Sequence, residues 1–181
     1  MKPFVRDIMV PFLVALVIYS GFHATMEYYV IYQTSMVPNL VEGQRIFVNK
    51  LAYRLGEPER GDIIIFHSPD SPPGSIPLIK RIIGLPGERV AVTSGAVYIN
   101  NVALVEPYIR EAPGYQVGEY TIPAGHYFVL GDNRNISRDS RFGWTVARGE
   151  IVGKALFCVW PPGEWGLVPN YAYSGESDTL K

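Results

Sequence analysis

Apolar and polar positions divide the chain into two unequal regimes. Residues Ile8 to Phe22 are almost wholly apolar, without the polar face that a surface helix carries. His23 and Glu27 interrupt the run, and Tyr28 to Tyr32 is again largely apolar. A bilayer core takes roughly 20 helical residues at ~1.5 Å each, so a span here has to use the flank through Ala24 to Met26. After residue 32 the apolar stretches shorten and are separated by Gly, Pro and Asn. Ile63-Ile64-Ile65-Phe66 reads as a buried strand. Tyr127 to Leu130 and Ile151 to Trp160 read as further strands, another follows the turn at Val41 to Gln44, and Leu78 to Ile83 is a candidate strand. Glu88 to Val92 and Ala96 to Ile99 flank Thr93-Ser94-Gly95 as a hairpin, and Asn100-Asn101 supplies a tight turn into Val102-Ala103-Leu104. The proline-rich stretch Ser68 to Pro77 is a loop, and so is the polar stretch Leu55 to Asp62. The pattern predicts a mainly β domain behind one N-terminal helix, with a polar, loose tail over residues 171–181.

Charge gives the helix a direction. Lys2 and Arg6 precede the apolar run and little positive charge follows it. By the positive-inside rule residues 1–6 are cytoplasmic, 7–28 are a transmembrane anchor, and 29–170 form an extracytoplasmic domain. A cleaved signal peptide is the rival; against it, bulky Phe22 stands two residues before the candidate site at Ala24. A buried core helix is the third option. Net charge is −1, so nothing pulls the chain toward nucleic acid. The single cysteine, Cys158, excludes an internal disulfide, and three scattered histidines give no metal-ligand spacing.

Chemistry concentrates in three stretches. Ser35 lies in Gln33-Thr34-Ser35-Met36-Val37-Pro38-Asn39-Leu40, where Pro38 stops a helix from running through the serine. It is either an ordinary turn residue or a nucleophile at a membrane surface. Lys80 sits between Leu78-Ile79 and Ile82-Ile83. On a strand it shares a face with Leu78 and Ile82. Burial there lowers a lysine pKa and gives a neutral amine that can take a serine proton; the alternative is that Lys80 snorkels to water beside Arg81. The third stretch, Gly131 to Gly143, packs two acids, three arginines and several short polar groups directly after a strand. Such groups build hydrogen-bonded networks around partly buried sites.

Ser35-Met36-x-Pro38, Lys80-Arg81-x-x-Gly84-x-Pro86-Gly87, and Gly131-Asp132-Asn133-Arg134-Asn135-x-Ser137-x-Asp139-Ser140-Arg141 occur in that order behind the apolar segment. The chain thereby resembles the bacterial type I signal peptidases, membrane-bound serine proteases with a Ser–Lys dyad. The resemblance implies an antiparallel β-sheet catalytic domain with one transmembrane helix, a short subdomain inserted near residues 93–122, and a place in the plasma membrane. It makes Ser35 the nucleophile, Lys80 the general base and Ser137 the residue that orients the lysine. It pairs Asp139 with Arg141 and Asp132 with Arg81 as supporting ion pairs. The Ser35 N–H is one oxyanion donor, and Ile31, Ile79 and Met36 line pockets for small side chains. The implied partners are preprotein signal peptides and the lipid bilayer; no metal or organic cofactor is implied.

The chain departs from the family pattern at two neighbours of the serine. Asn39 stands where threonine is usual. Gln33 stands where some members place a serine as second oxyanion donor, which leaves Gln33 or the Thr34 hydroxyl for that task. A specialised Ser–Lys peptidase of a conjugation or secretion system has the same chemistry, and a non-cleaving envelope-peptide binder stays open because of these departures. A Ser–His–Asp hydrolase lacks its Gly-x-Ser-x-Gly elbow. Trp160 and Trp165, around Pro161-Pro162, either pack a loop or enter the lipid interface.

Overall fold

The apolar N-terminal run forms one helix, α1 (Pro3–Thr25), in a computed structural model that describes residues 3–173 and 179–180. Arg6–Thr25 is long and apolar enough to cross a bilayer, and the rest of the chain buries none of it. Thr25 folds its hydroxyl back onto the Gly21 carbonyl at 2.9 Å, and the chain passes directly into strand β1 (Met26–Val30). The expected anchor boundary at residue 28 therefore falls inside a strand. Met26, Glu27 and Tyr28 pair with Asn49, Val48 and Phe47 of β2 (Arg45–Asn49). Aromatic and β-branched residues at Tyr28, Tyr29 and Val30 favour this pleated, half-buried setting, and β2 satisfies backbone groups that a continued helix would have paired internally.

The remaining elements are α2 (Ala52–Leu55), β3 (Ile63–Phe66), β4 (Leu78–Gly84), β5 (Arg89–Thr93), β6 (Ala96–Ile99), β7 (Val102–Leu104), β8 (Val117–Thr121), β9 (His126–Leu130), β10 (Val146–Ala147), β11 (Ile151–Trp160), β12 (Gly166–Leu167) and β13 (Thr179–Leu180). Among the described residues they form two antiparallel sheets. The larger has the order β1-β2-β11-β3-β4-β9-β10, with β12 also on β11, and the smaller β13-β7-β6-β5-β8. Both predicted tight turns of the small sheet are present. Ser94 and Gly95 take φ of 49° and 77°, Asn100 and Asn101 take 51° and 72°, the left-handed pair that two-residue hairpins need. The small sheet begins at Arg89, slightly before the expected insert.

Strand β4 is the hinge of the packing. Ile79 joins Ile31, Met36, Ile46 and Val48 in one buried cluster, Ile82 joins Phe66 and Val129 in another, and Ile83 joins Val90, Ile99 and Leu130 in the core of the small sheet. One strand thus touches every core, which fixes the backbone on either side of Lys80. The start of the tail expected to be loose, Tyr171 to Tyr173, is held in place. Tyr171 N–H donates to the Gly61 carbonyl, and Tyr171 and Tyr173 pack against the small-sheet core. Aromatic side chains, which the polar composition of the tail obscured, anchor these residues there. Residues 174–178 and 181 lie outside the described residues.

Candidate active site

Ser35 sits on a turn closed by two backbone bonds, Val37 N–H to the Thr34 carbonyl at 3.2 Å and Leu40 N–H to the Met36 carbonyl at 2.9 Å. Met36 and Leu40 are fully buried and hold the turn to the core. The expectation that Met36 lines a substrate pocket does not hold. A thioether in the core cluster beside Ile31 and Leu40 packs the turn rather than presenting a surface. The Gly131–Asn133 segment grips the turn from the other side: Asn133 N–H donates to the Ser35 carbonyl at 3.0 Å and Asn133 Nδ2 to the Thr34 carbonyl at 3.2 Å. Gly131 makes this approach possible. A Cβ there would collide with the Ser35 carbonyl and the Ser137 side chain.

Lys80 comes to the same point from β4. Its Nζ donates to Ser35 Oγ at 2.7 Å and to the Ile79 carbonyl at 2.8 Å. Lys80 is 1% exposed, so the snorkelling alternative is excluded. Burial pushes its pKa down from 10.5 to about 8; Arg141 acts in the same direction, while Asp139 and Asp132 oppose it. Ser137 is close by but does not orient the lysine as expected. Its Oγ is buried and has no hydrogen-bond partner among the described residues, while the ammonium is turned toward Ser35 and the Ile79 carbonyl.

Both expected ion pairs are present, Arg81–Asp132 fully buried and Asp139–Arg141 partly so. Arg81 binds Asp132 through Nε at 2.8 Å and Nη2 at 2.7 Å. The Tyr108 ring lies 4.1 Å from the Arg81 guanidinium. Removing one partner of such a pair costs about 3–5 kcal/mol, because the other is left charged in the interior. Asp139 binds Arg141 through Nε at 2.9 Å and accepts from Gly131 N–H at 3.1 Å, so it steadies the backbone beside the serine. A third buried pair, Arg134 with Glu106, was not anticipated; Arg134 Nε also reaches the Gly131 carbonyl at 3.1 Å. Asn39 was read only as a departure. Its Nδ2 donates to both Asp132 Oδ2 and the Tyr108 carbonyl, each at 2.8 Å.

The serine opens onto a cleft lined by Tyr32, Gln33, Thr34, Leu78, Ile136 and Arg138, with Asp70 bridging to Arg138 at 2.7 Å across it. Gln33 and Thr34 are exposed there, two residues and one residue before Ser35. A shallow continuation runs between Ile31 and Ile79. β9 pairs with β4 only from Arg81 onward, so the edge of β4 over Leu78–Lys80 faces the cleft without a strand beside it. The His126 ring contacts the Thr145 hydroxyl at 3.0 Å.

Comparison with known proteins decides the lineage. Residues 2–160 match the family model described as signal peptidase, peptidase S26. The chain belongs to the signal peptidase family. A signal peptidase I of Leptolyngbya laminosa is 46% identical over 145 residues, covering 76% of this chain and 71% of that protein. A probable signal peptidase I-2 of Synechocystis sp. is 42% identical over 142 residues, covering 77% of this chain and 65% of that one. A crystal structure of a signal peptidase I from Enterococcus faecalis V583 aligns at 35% identity and a TM-score of 0.46, over 55% of this chain and 97% of its own. Among the described residues, this member of the family has a mainly antiparallel β architecture and one helix long and apolar enough to cross a membrane.

Proposed function

We propose that this signal peptidase family member is a membrane-anchored serine endopeptidase that removes signal peptides from exported preproteins by Ser–Lys acyl transfer. The observation that carries the proposal is the 2.7 Å contact between Ser35 Oγ and a buried Lys80 whose pKa is lowered to about 8. In its neutral form Lys80 Nζ accepts the Ser35 hydroxyl proton as Oγ attacks the carbonyl after the −1 residue. Lys80 then protonates the leaving amine and activates water for deacylation. The oxyanion is held by the Ser35 N–H, with Gln33 or Thr34 as second donor; losing such a donor costs ~2.7–4 kcal/mol.

The preprotein adds as an extended segment to the open β4 edge at Leu78–Lys80, using main-chain hydrogen bonds. Ile31 and Ile79 wall a groove too shallow for large side chains, which favours small residues at −1 and −3. Asp132, Arg81, Asp139 and Arg141 hold the frame around the dyad. The helix spans the membrane with the domain on the extracytoplasmic side. Tyr28, Phe47, Phe157 and Leu167 are register partners across four strands and point to one side. Phe22 of α1 stacks edge-on to Phe47 at 5.5 Å, and the exposed Trp160 and Trp165 flank the same sheet. This aromatic face is suited to the lipid interface.

The test is incubation in detergent micelles with a preprotein carrying Ala-x-Ala before its cleavage site. The wild type releases the mature protein; Ser35→Ala, Lys80→Ala and the double variant are each inactive to a similar degree, because the pair acts as a unit. Substantial cleavage by folded Lys80→Ala would refute the dyad.

A further inference from the structure

The family match ends at residue 160, yet chain beyond it is built into the support of the site. Residues 168–173 cross from the large sheet to the small one. Val168 is buried in the large-sheet core, and its N–H donates to the Leu156 carbonyl at 2.8 Å. Asn170 accepts from Ile63 N–H at 2.6 Å and donates to the Ala155 carbonyl at 2.9 Å, so it ties β3 to β11. The Pro169 carbonyl accepts from Arg81 Nη1 at 3.0 Å. Gly61, at φ +92°, has no room for a side chain because a Cβ would run into the Tyr171 carbonyl. Tyr173 closes the crossing by donating to the Val105 carbonyl at 3.1 Å and meeting the Tyr108 hydroxyl at 2.8 Å.

We infer that this strap, together with Asn39, is a positioning device that sets the Ser35–Lys80 geometry through the Arg81–Asp132 pair. The inference rests on the dyad reading above. Arg81 follows Lys80 on β4, so the anchoring of its guanidinium fixes the strand that carries the base. Nε and Nη2 go to Asp132, while Nη1 divides between the Gly61 and Pro169 carbonyls. Without the strap, one donor of a guanidinium that is 0% exposed loses its acceptor. Asp132 Oδ2 then passes the constraint to Asn39, four residues after Ser35 on the nucleophile turn. A primary amide suits this place because it has two N–H donors, one for Asp132 and one for the Tyr108 carbonyl, where a threonine hydroxyl has one. Strap, Arg81, Asp132 and Asn39 thus link base strand and nucleophile turn by consecutive hydrogen bonds. Neither Asn39 nor the strap lines the cleft at Ser35, so both act through other residues.

The experiment is a double-mutant cycle on cleavage of a signal-peptide substrate, with chains ending at Val168, Asn39→Ala, and both changes together. Each single change is expected to lower kcat by about 10- to 100-fold, as sub-ångström to ångström misplacement does, with KM within about twofold of wild type. The combination is expected to be no slower than the slower single variant, since both break one linkage. Additive losses, a change confined to KM, or an unchanged kcat in either single variant overturns the inference. Should the shortened chain fail to fold by circular dichroism, Asn170→Ala in the full chain takes its place in the cycle under the same criteria. Ser35→Ala, run alongside, separates the two levels. If it is inactive and the cycle is additive, only the strap inference falls; if it retains activity, the dyad falls and the strap inference with it.

Discussion

A lysine that works as a base must be neutral, and burial of Lys80 supplies that state at a pH a cell can reach. The ordinary value of 10.5 would leave well under one per cent of the amine neutral at pH 7, whereas about 8 leaves roughly a tenth. The sign follows directly: protonated Lys80 cannot accept the Ser35 proton, so kcat/KM should rise with pH through about 8 and level off above it. Initial rates of peptide cleavage over pH 6–10, at constant fold by circular dichroism, check this; a flat profile would count against a titrating lysine base. The residue types of the site were legible because Ser35, Lys80 and the Gly131–Arg141 stretch are adjacent to recognisable turns and strands. Their partners were less so. Whether Lys80 is buried or reaches water depends on strands distant in sequence, and nothing local to Asn39 shows that it meets Asp132, 93 positions away. The Ser137 orientation came from the resemblance alone, and the geometry places the Ile79 carbonyl in that contact instead.

At the scale of elements, the turn bearing Ser35 and the loop after β9 form one unit whose closest approach is at Gly131. Alanine there forces either the Ser35 carbonyl or Ser137 to move. Gly131→Ala should lose about 1–3 kcal/mol of stability from overpacking and most of its cleavage activity. Gly149→Ala, where no atom lies within 4 Å of the new methyl, should be close to silent. Thermal melts and cleavage rates of the two variants give the comparison. Buried strands such as β3 and β4 announce themselves as apolar runs because both faces are covered. β8 does not: an exposed edge strand with a largely polar face carries no alternation. β1 is hidden for the opposite reason. Its aromatic residues continue the apolar character of the helix, and only its partner β2 marks where the helix stops.

For the molecule as a whole, the proposed membrane placement puts the aromatic face against lipid. In vesicles containing brominated lipid, Trp160 and Trp165 fluorescence should be quenched. A Trp160→Phe/Trp165→Phe variant, left with Trp144 packed on Phe66 at 6.1 Å, should be insensitive to the bromines. Equal quenching of both proteins would place the face away from lipid. The passage from Thr25 straight into Met26 adds something further. Lys50 N–H holds the last helical carbonyl at 2.9 Å, and Lys50 Nζ meets Glu27 at 3.3 Å, so no swivel separates helix from domain. Such a junction makes the protein a gauge. If the helix spans the bilayer as proposed, the serine stands at a set height above it, and the substrate's own apolar length decides which bond is brought to that height. Inserting four flexible residues between Thr25 and Met26 should therefore blur the choice of cleavage position, read by mass spectrometry of the released N-termini. A single unchanged N-terminus would show that side-chain selection alone fixes the position.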